Sequence, residues 1–119
     1  MAEHNELGKE GEKLAIKFLL KNGYKILETN YRYLKAEVDI IALKGEILAA
    51  VEVKTRSSDY FEEPQDAVKA KKIKLLVSAI DYYVVQRDLD VEVRFDIIAI
   101  LINKKGTKLE HLEDAFLYF

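Results

Sequence analysis

Cysteine is absent from this chain of 119 residues, which excludes disulfides, thiolate nucleophiles and cysteine-based zinc sites. The two histidines, His4 and His111, lie at opposite ends of the sequence. A Ser-His-Asp triad or a histidine-ligated zinc site therefore has little material to work with. A small-molecule hydrolase built on such groups ranks last among the functions that we consider.

Long apolar runs, linkers rich in proline and a basic net charge are also missing. The longest apolar run, residues 97–102, is far shorter than the ~20 residues that cross a membrane. The N-terminus has no basic-then-apolar signal segment, so we expect a cytoplasmic protein without membrane contact. The net charge of −2 counts mildly against nucleic-acid binding, although phosphate contact needs only a local basic patch.

Hydrophobic residues, which make up 50% of the chain, favour one folded domain spanning residues 1–119 over disorder. Gly23 suits the position that follows a helix. The periodicity of the apolar residues predicts the order α-β-β-β-α-β-β and a mixed sheet flanked by helices, an α/β fold. The predicted helices cover about 5–22 and 65–86, and the predicted strands about 24–33, 37–43, 47–54, 91–102 and 108–112.

Two carboxylates, Asp39 and Glu52, lie inside apolar stretches of β character, where an unpaired charge is costly. A two-residue turn at 45–46 would join their strands as an antiparallel hairpin. Lys44 would then pair with Ile47, and counting back places Asp39 opposite Glu52. Directly opposed residues point to the same face, and any turn with an even number of residues keeps them there, whereas three residues without a bulge would separate them.

Alternation along each strand predicts which side chains share a face. Lys54 should lie on the same face as Glu52. On the neighbouring strand, Val38 and Ile40 should both point away from the face that holds Asp39.

These residue types at this spacing are what a metal-dependent phosphodiesterase needs. Asp39 and Glu52 would coordinate Mg²⁺ or Mn²⁺, together with the backbone carbonyl of Val53 and water. The cation would polarise the scissile phosphate and lower the pKa of a bound water. Lys54 would orient that water or stabilise charge in the transition state, and Glu12, on the first helix, is a candidate outer ligand.

An ordinary half-exposed strand also alternates in this way. The run from Val51 to Lys54 places apolar and charged residues in turn, and Glu52 could simply pair with a neighbouring lysine. The spacing of Asp39 and the Glu-x-Lys triplet is a loose pattern by itself.

Basic and polar residues around the second helix are candidate phosphate contacts. The alternative for the lysines is a solvated helix surface balanced by acids such as Asp66 and Asp81. Gln65 could position Lys54 or a phosphate, although a polar residue at a helix start is the more common explanation. The candidates for DNA binding are Arg56, Gln65, Lys69 and Lys72, with Lys71 and Lys74 beside them.

Several motifs in order along the chain resemble the YraN-like family of bacterial proteins. That family looks like part of the PD-(D/E)xK nuclease superfamily, which has the restriction-endonuclease-like fold, and archaeal Holliday junction resolvases are similar to it. The motifs are Gly8-Lys9-Glu10-Gly11-Glu12, Gly23-Tyr24, Asn30-Tyr31-Arg32, Glu37-Val38-Asp39-Ile40-Ile41-Ala42, Val51-Glu52-Val53-Lys54-Thr55-Arg56, Ala67-Val68 with Lys72, and Arg94-Phe95-Asp96-Ile97.

The resemblance implies metal-dependent hydrolysis of DNA, with Asp39, Glu52 and Lys54 as the catalytic core and Glu12 as the helix acid. Branched or flapped DNA is the candidate substrate, and a homodimer is expected because related resolvases act as dimers. One departure is Ala36, where the family usually has glycine, and alanine there would alter the approach to the site if the glycine allows a special backbone angle. That departure and the acidic net charge keep a second function open, a nucleic-acid-binding or protein-interaction module that does not cut.

Two further features concern structure. We interpret Arg94 and Asp96 as an ion pair that supports the fold. The aromatic tail, residues 116–119, is either the last part of the core or an apolar patch that is buried in a dimer.

Overall fold

The computed structural model describes residues 2–57 and 70–116, with side chains from Glu6 onward. Each element is located where the apolar periodicity predicts it, to within a few residues. The elements are helix α1 (Ala2–Lys21), strands β1 (Lys25–Tyr33), β2 (Ala36–Lys44) and β3 (Ile47–Arg56), helix α2 (Ala70–Gln86), and strands β4 (Glu92–Asn103) and β5 (Gly106–Leu112).

The five strands form one sheet in the order β1-β2-β3-β4-β5. Strands β3 and β4 are parallel, and every other neighbouring pair is antiparallel. The chain crosses from β3 to β4 through α2, as a parallel pair requires. The predicted mixed sheet and the order α-β-β-β-α-β-β are confirmed, while residues 65–69 of the predicted second helix lie outside the described residues.

Two apolar clusters cover the two faces of this sheet. The cluster under α1 includes Ala15 and Leu19, and the cluster under α2 includes Leu76, Ile80 and Tyr83. Each helix thus covers one face, which is how a sheet with two apolar faces is kept from water. In the part of the chain that the structure describes, we find no helix with the length and apolar character needed to span a membrane.

Helix α1 ends where the sequence predicts. Gly23 has a φ of 89°, a left-handed conformation that glycine adopts without steric cost. The Tyr24 N–H donates to the Leu19 carbonyl at 2.9 Å and the Gly23 N–H to the Leu20 carbonyl at 3.2 Å. These two bonds are the Schellman pattern that satisfies the last carbonyls of a helix.

The hairpin of β2 and β3 has the predicted register from Lys44 and Ile47 to Ile40 and Val51. The predicted pair of Asp39 with Glu52, which would come next, is not part of the ladder, because the two strands separate there. The predicted alternation along β2 is wrong at one point. Val38 packs in the α2 cluster and Ile40 in the α1 cluster, so they do not share a face. The change of side occurs at Asp39.

Phe116, the first residue of the aromatic tail, is part of the core. It is buried in the α2 cluster and stacks on Phe95, with ring centroids 6.1 Å apart. Residues 117–119 of the predicted tail lie outside the described residues.

Candidate active site

Strands β2 and β3 separate at the predicted site. Their pairing ends at Ile40 and Val51. Beyond that point, β2 pairs with β1 alone and β3 continues beside β4 as far as Arg56. We call this opening the fork and define it by Asp39, Glu52 and Lys54, the three residues that the sequence predicts as a catalytic core.

Asp39 fills the gap that opens where the strands part. Its Oδ2 accepts the backbone N–H of Val53 at 2.8 Å, a donor that a longer hairpin would have paired with the backbone of β2. Burial, together with the neighbouring Glu52 carboxylate, raises the pKa of Asp39 to about 7. A hydrogen bond between the two carboxyl groups contributes to this rise, because it stabilises the protonated form of Asp39.

Glu52 is a carboxylate held inside the protein, with 4% of its surface exposed. Two lysines compensate its charge: the Lys54 Nζ lies 3.5 Å from its Oε2, and Lys72 of α2 forms a direct ion pair with the same oxygen. Burying a charge without a partner would cost several kcal/mol. The simple lysine pairing that the sequence left open for Glu52 is therefore present, and it coexists with the arrangement predicted for catalysis.

Helix α1 brings a third carboxylate towards the fork. Gly11 is buried against β3, and a Cβ at that position would lie 1.8 Å from the Thr55 Oγ1, so only glycine allows this approach. Glu12 follows it, and its charge contributes to the raised pKa of Asp39. The structure thus brings Glu12 within electrostatic range of the fork, but not into a compact ligand cluster with the other two carboxylates.

The donor set decides which cations the fork can hold. Among residues 2–57 and 70–116, no group of three or more His, Cys, Asp or Glu side chains is arranged to hold a metal ion. A closed site made only of protein ligands is therefore not formed there. The fork offers two neighbouring carboxylates, and Mg²⁺ and Mn²⁺ are cations that proteins bind through one or two carboxylates, with water or phosphate as the other ligands.

A cavity of about 520 Å³ opens from the fork between the β1–β2 turn and α2. Asp39 lies in its wall, and Lys35, Lys71 and Lys72 supply its positive charge. Ala36, the departure from the family pattern, also lines it and is not among the described residues with a positive φ. Lys35 was not predicted, although its place in the turn before β2 was a usable signal.

Two of the four predicted phosphate contacts lie among the described residues. Arg56 is the last residue of β3, and Lys72 lies at the fork, where it forms an ion pair with Glu52. Gln65 and Lys69 lie outside the described residues. Of the helix lysines, Lys71 lines the cavity and Lys74 is exposed on α2.

A second basic surface was not predicted. Asn103 ends β4, which runs parallel to β3, so the turn that follows lies at the same end of the sheet as the fork. Lys104, Lys105 and Lys108 are exposed there. The distance of this turn from the site depends on strand order, which the local sequence does not contain.

Asp96 is fully buried in a network on the α1 face of the sheet. Its carboxylate accepts bonds from Arg94 at 2.8 Å and from the Asp114 N–H at 3.0 Å, and its Oδ2 lies 2.8 Å from the His111 Nε2. Burial alone would raise the pKa of Asp96, but these bonds hold it below its ordinary value. The predicted ion pair of Arg94 with Asp96 is present, and His111 joins it.

Comparison with known proteins gives one consistent family. A family model described as "Uncharacterised protein family UPF0102" matches residues 11–100. A UPF0102 protein of Christiangramia forsetii is 64% identical over 119 residues, and one of Flavobacterium psychrophilum is 60% identical over 119 residues. One of Flavobacterium johnsoniae is 57% identical over 123 residues. The alignments cover 100% of each chain.

Proposed function

Because the chain belongs to the uncharacterised protein family UPF0102, whose name states no activity, we propose a function from the chemistry of the fork. The protein is a Mg²⁺- or Mn²⁺-dependent endonuclease that hydrolyses phosphodiester bonds in DNA. The observation that supports this most strongly is the convergence of Asp39, Glu52 and Lys54 where β2 and β3 part. A buried carboxylate and a half-buried one beside a lysine favour a cation and a phosphate.

Each residue of the fork has a definite role in this reaction. Asp39 and Glu52 would hold the cation, and the backbone carbonyl of Val53 is the third protein oxygen that we assign to it. When bound, the cation supplies polarisation of the phosphate and activation of a water. Lys54 lies close enough to Glu52, at 3.5 Å, to place its ammonium beside the attacked phosphate and stabilise the charge that develops there.

Proton release accompanies loading of the site. A carboxyl with a pKa of about 7 is partly protonated at neutral pH, and a metal ligand must be deprotonated. Asp39 would therefore have to lose its proton to serve as a ligand. Lys72, which now pairs with Glu52 and lines the cavity, would be the nearest basic group for a phosphate if a cation took over the compensation of Glu52.

Basic side chains around the fork support DNA as the substrate in spite of the acidic net charge. Lys35 and Lys71 line the cavity, Arg56 lies at the end of β3, and Lys104 and Lys105 project from the β4–β5 turn at the same end of the sheet. Phosphate contacts need such a local patch and not a basic protein.

The second candidate function is a nucleic-acid-binding module that does not cut. One observation favours it: Lys72 already compensates the charge of the buried Glu52 carboxylate, so Glu52 can be accounted for as one half of a structural ion pair. The two functions differ in metal binding and in turnover, so one experiment separates them.

The test is cleavage of end-labelled linear, nicked and branched DNA by the purified protein in Mn²⁺ and in Mg²⁺. Glu52→Gln and Lys54→Met should each lower the rate by about 10² or more without unfolding the protein. Glu46→Gln is the matched control, because Glu46 is exposed in the β2–β3 turn at the opposite end of β3.

The outcomes are distinct. Activity that requires the cation and is lost in both fork variants, but not in the control, supports the nuclease. Equal activity in all proteins indicates a contaminating enzyme and overturns the proposal. DNA binding without turnover under any of these conditions selects the non-cutting module.

A further inference from the structure

Leu34 occupies a position that leucine suits poorly. It lies in the two-residue turn between β1 and β2, with 84% of its surface exposed and a φ of 55°. A left-handed backbone costs a residue with a Cβ about 1 kcal/mol, and an exposed leucine gains nothing from burial in return. Glycine or asparagine would suit this turn better, so the folded protein alone gives no reason for a leucine.

The turn that carries Leu34 is held firmly. The Tyr33 ring stacks on Tyr82 of α2, with centroids 4.3 Å apart and planes 21° from parallel. Arg32 pairs with Glu37 across the hairpin at 2.9 Å. Leu34 is thus an exposed apolar side chain on a turn that contacts α2 through Tyr33.

The neighbours of Leu34 face the fork. Lys35 and Ala36, the next two residues, line the cavity that also contains Asp39 and Lys72. A phosphate held in this cavity by Lys35 and Lys72 would therefore place the adjoining bases of its strand near the tip of this hairpin.

We propose that Leu34 is a wedge that enters the base stack beside the scissile phosphate. The proposal rests on the function proposed above and goes further, because it assigns a residue to substrate selection. Apolar side chains inserted between base steps unstack them at a cost of about a few kcal/mol per step. The cost is lowest where stacking is already weak, so the wedge selects DNA that contains a nick, a mismatch or a branch.

A second copy of this chain is the other occupant to test for an exposed apolar tip. The charges beside the tip favour nucleic acid. Lys35 adjoins Leu34 and lines the cavity together with Lys71, whereas Arg32 and Glu37 neutralise each other, so two such tips would bring these lysines together and a phosphate backbone would neutralise them.

The test uses 2-aminopurine placed beside a nick, with the matching continuous duplex as reference. All proteins carry Glu52→Gln and are measured in EDTA, which removes cleavage and the charge of Glu52 together. The parent protein should raise the fluorescence at the nick several-fold, and Leu34→Ala should lose most of that rise. Val85→Ala, which shortens another exposed apolar residue on α2 (71% exposed), is the matched control and should retain it.

Cleavage assays with intact Glu52 separate this proposal from the nuclease function. Leu34→Ala should lose the preference for nicked over continuous DNA and keep its rate on DNA that is already single-stranded. If Leu34→Ala keeps both the preference for nicked DNA and the fluorescence rise, the wedge proposal is wrong, and the proposed nuclease function is unaffected. A fluorescence rise that depends on Leu34, in a protein that never cuts, would support the wedge and refute the nuclease.

Sedimentation of the DNA-free protein tests whether a second copy of this chain binds at Leu34. A dimer that forms with rising concentration and disappears in Leu34→Ala would assign the tip to a second copy and overturn the wedge. A monomer at the concentrations used for fluorescence supports it.

Discussion

Asp39 combines two properties that rarely occur together in a residue kept only for folding. It accepts a backbone hydrogen bond from Val53 at the point where the β2–β3 ladder ends, and it interacts with the buried carboxylate of Glu52. The hydrogen bond stabilises the fold and the second carboxylate opposes it, because ionising two neighbouring carboxyl groups costs free energy. Such opposition between folding and charge is typical of functional sites.

The raised pKa of Asp39 makes a prediction about stability. The folded state keeps a proton that the unfolded chain, with a carboxyl pKa near 4, has already lost. The stabilisation from that proton is complete below about pH 4 and is lost as the pH rises to about 7. Asp39→Asn removes this loss, since an amide keeps the acceptor for Val53 and donates to Glu52, and it should stabilise the protein at pH 8 by about 2 kcal/mol.

Urea unfolding in EDTA at pH 5 and pH 8 measures this difference. Asp81→Asn, at an exposed position of α2, is the matched control and should follow the wild-type protein at both values. If Asp39→Asn were equally or less stable than the wild type at pH 8, the raised pKa would be wrong.

At the scale of elements, the contact of α1 with β3 sets the position of Glu12. Gly11→Ala would place a methyl group 1.8 Å from the Thr55 Oγ1 and 2.9 Å from its Cβ, so the helix must move away from the sheet. Alanine improves helix propensity by about 1 kcal/mol, but overpacking costs about 1–3 kcal/mol. We expect net destabilisation, together with weaker metal-dependent activity.

Gly8→Ala is the control within the same helix, because nothing lies within 4 Å of a Cβ at that position. It should be neutral or slightly stabilising in thermal unfolding. Gly11→Ala with a melting temperature at or above that of Gly8→Ala would show that α1 does not depend on close approach at Gly11.

The hairpins show how far local sequence determines an element. A two-residue turn at 45–46 was enough to predict the register of β2 with β3, because opposed residues must share a face. The change of side at Asp39 could not be predicted in this way. This change occurs where β2 loses β3 as a partner strand. It also occurs opposite Asn30, which has a φ of 52° and lies between the two β1 residues that pair to either side of Asp39. Neither feature has a local signal.

At the scale of the whole molecule, strand order assembles the site. The three residues of the fork were predictable because two neighbouring strands carry them. Lys72 reaches Glu52 from a helix that follows a long intervening segment, and Lys104 and Lys105 reach the same end of the sheet through the parallel pairing of β3 with β4. These juxtapositions depend on tertiary pairing, which the periodicity of single segments does not specify.

The basic β4–β5 turn makes a prediction about binding. If Lys104 and Lys105 contact phosphates, replacing both with glutamine should reduce the slope of log K against log salt concentration by up to about 2. Lys21→Gln with Lys25→Gln is the matched pair, since these lysines lie where α1 ends and β1 begins, at the opposite end of β1 from Leu34. Fluorescence anisotropy with labelled DNA from 50 to 300 mM salt gives the slopes, and equal slopes in the two double variants would remove the turn from the interface.

Binding of a divalent cation by Asp39 and Glu52 is what the proposed function depends on most. Titration calorimetry of Mn²⁺ into the protein tests it directly, at pH 6.5 and pH 8 in buffers of different ionisation enthalpy. We predict one ion per chain, tighter binding at pH 8, proton release that is larger at pH 6.5, and loss of binding in Asp39→Asn and Glu52→Gln but not in Glu46→Gln. Absence of binding, or binding that is equal in all four proteins, would contradict the account.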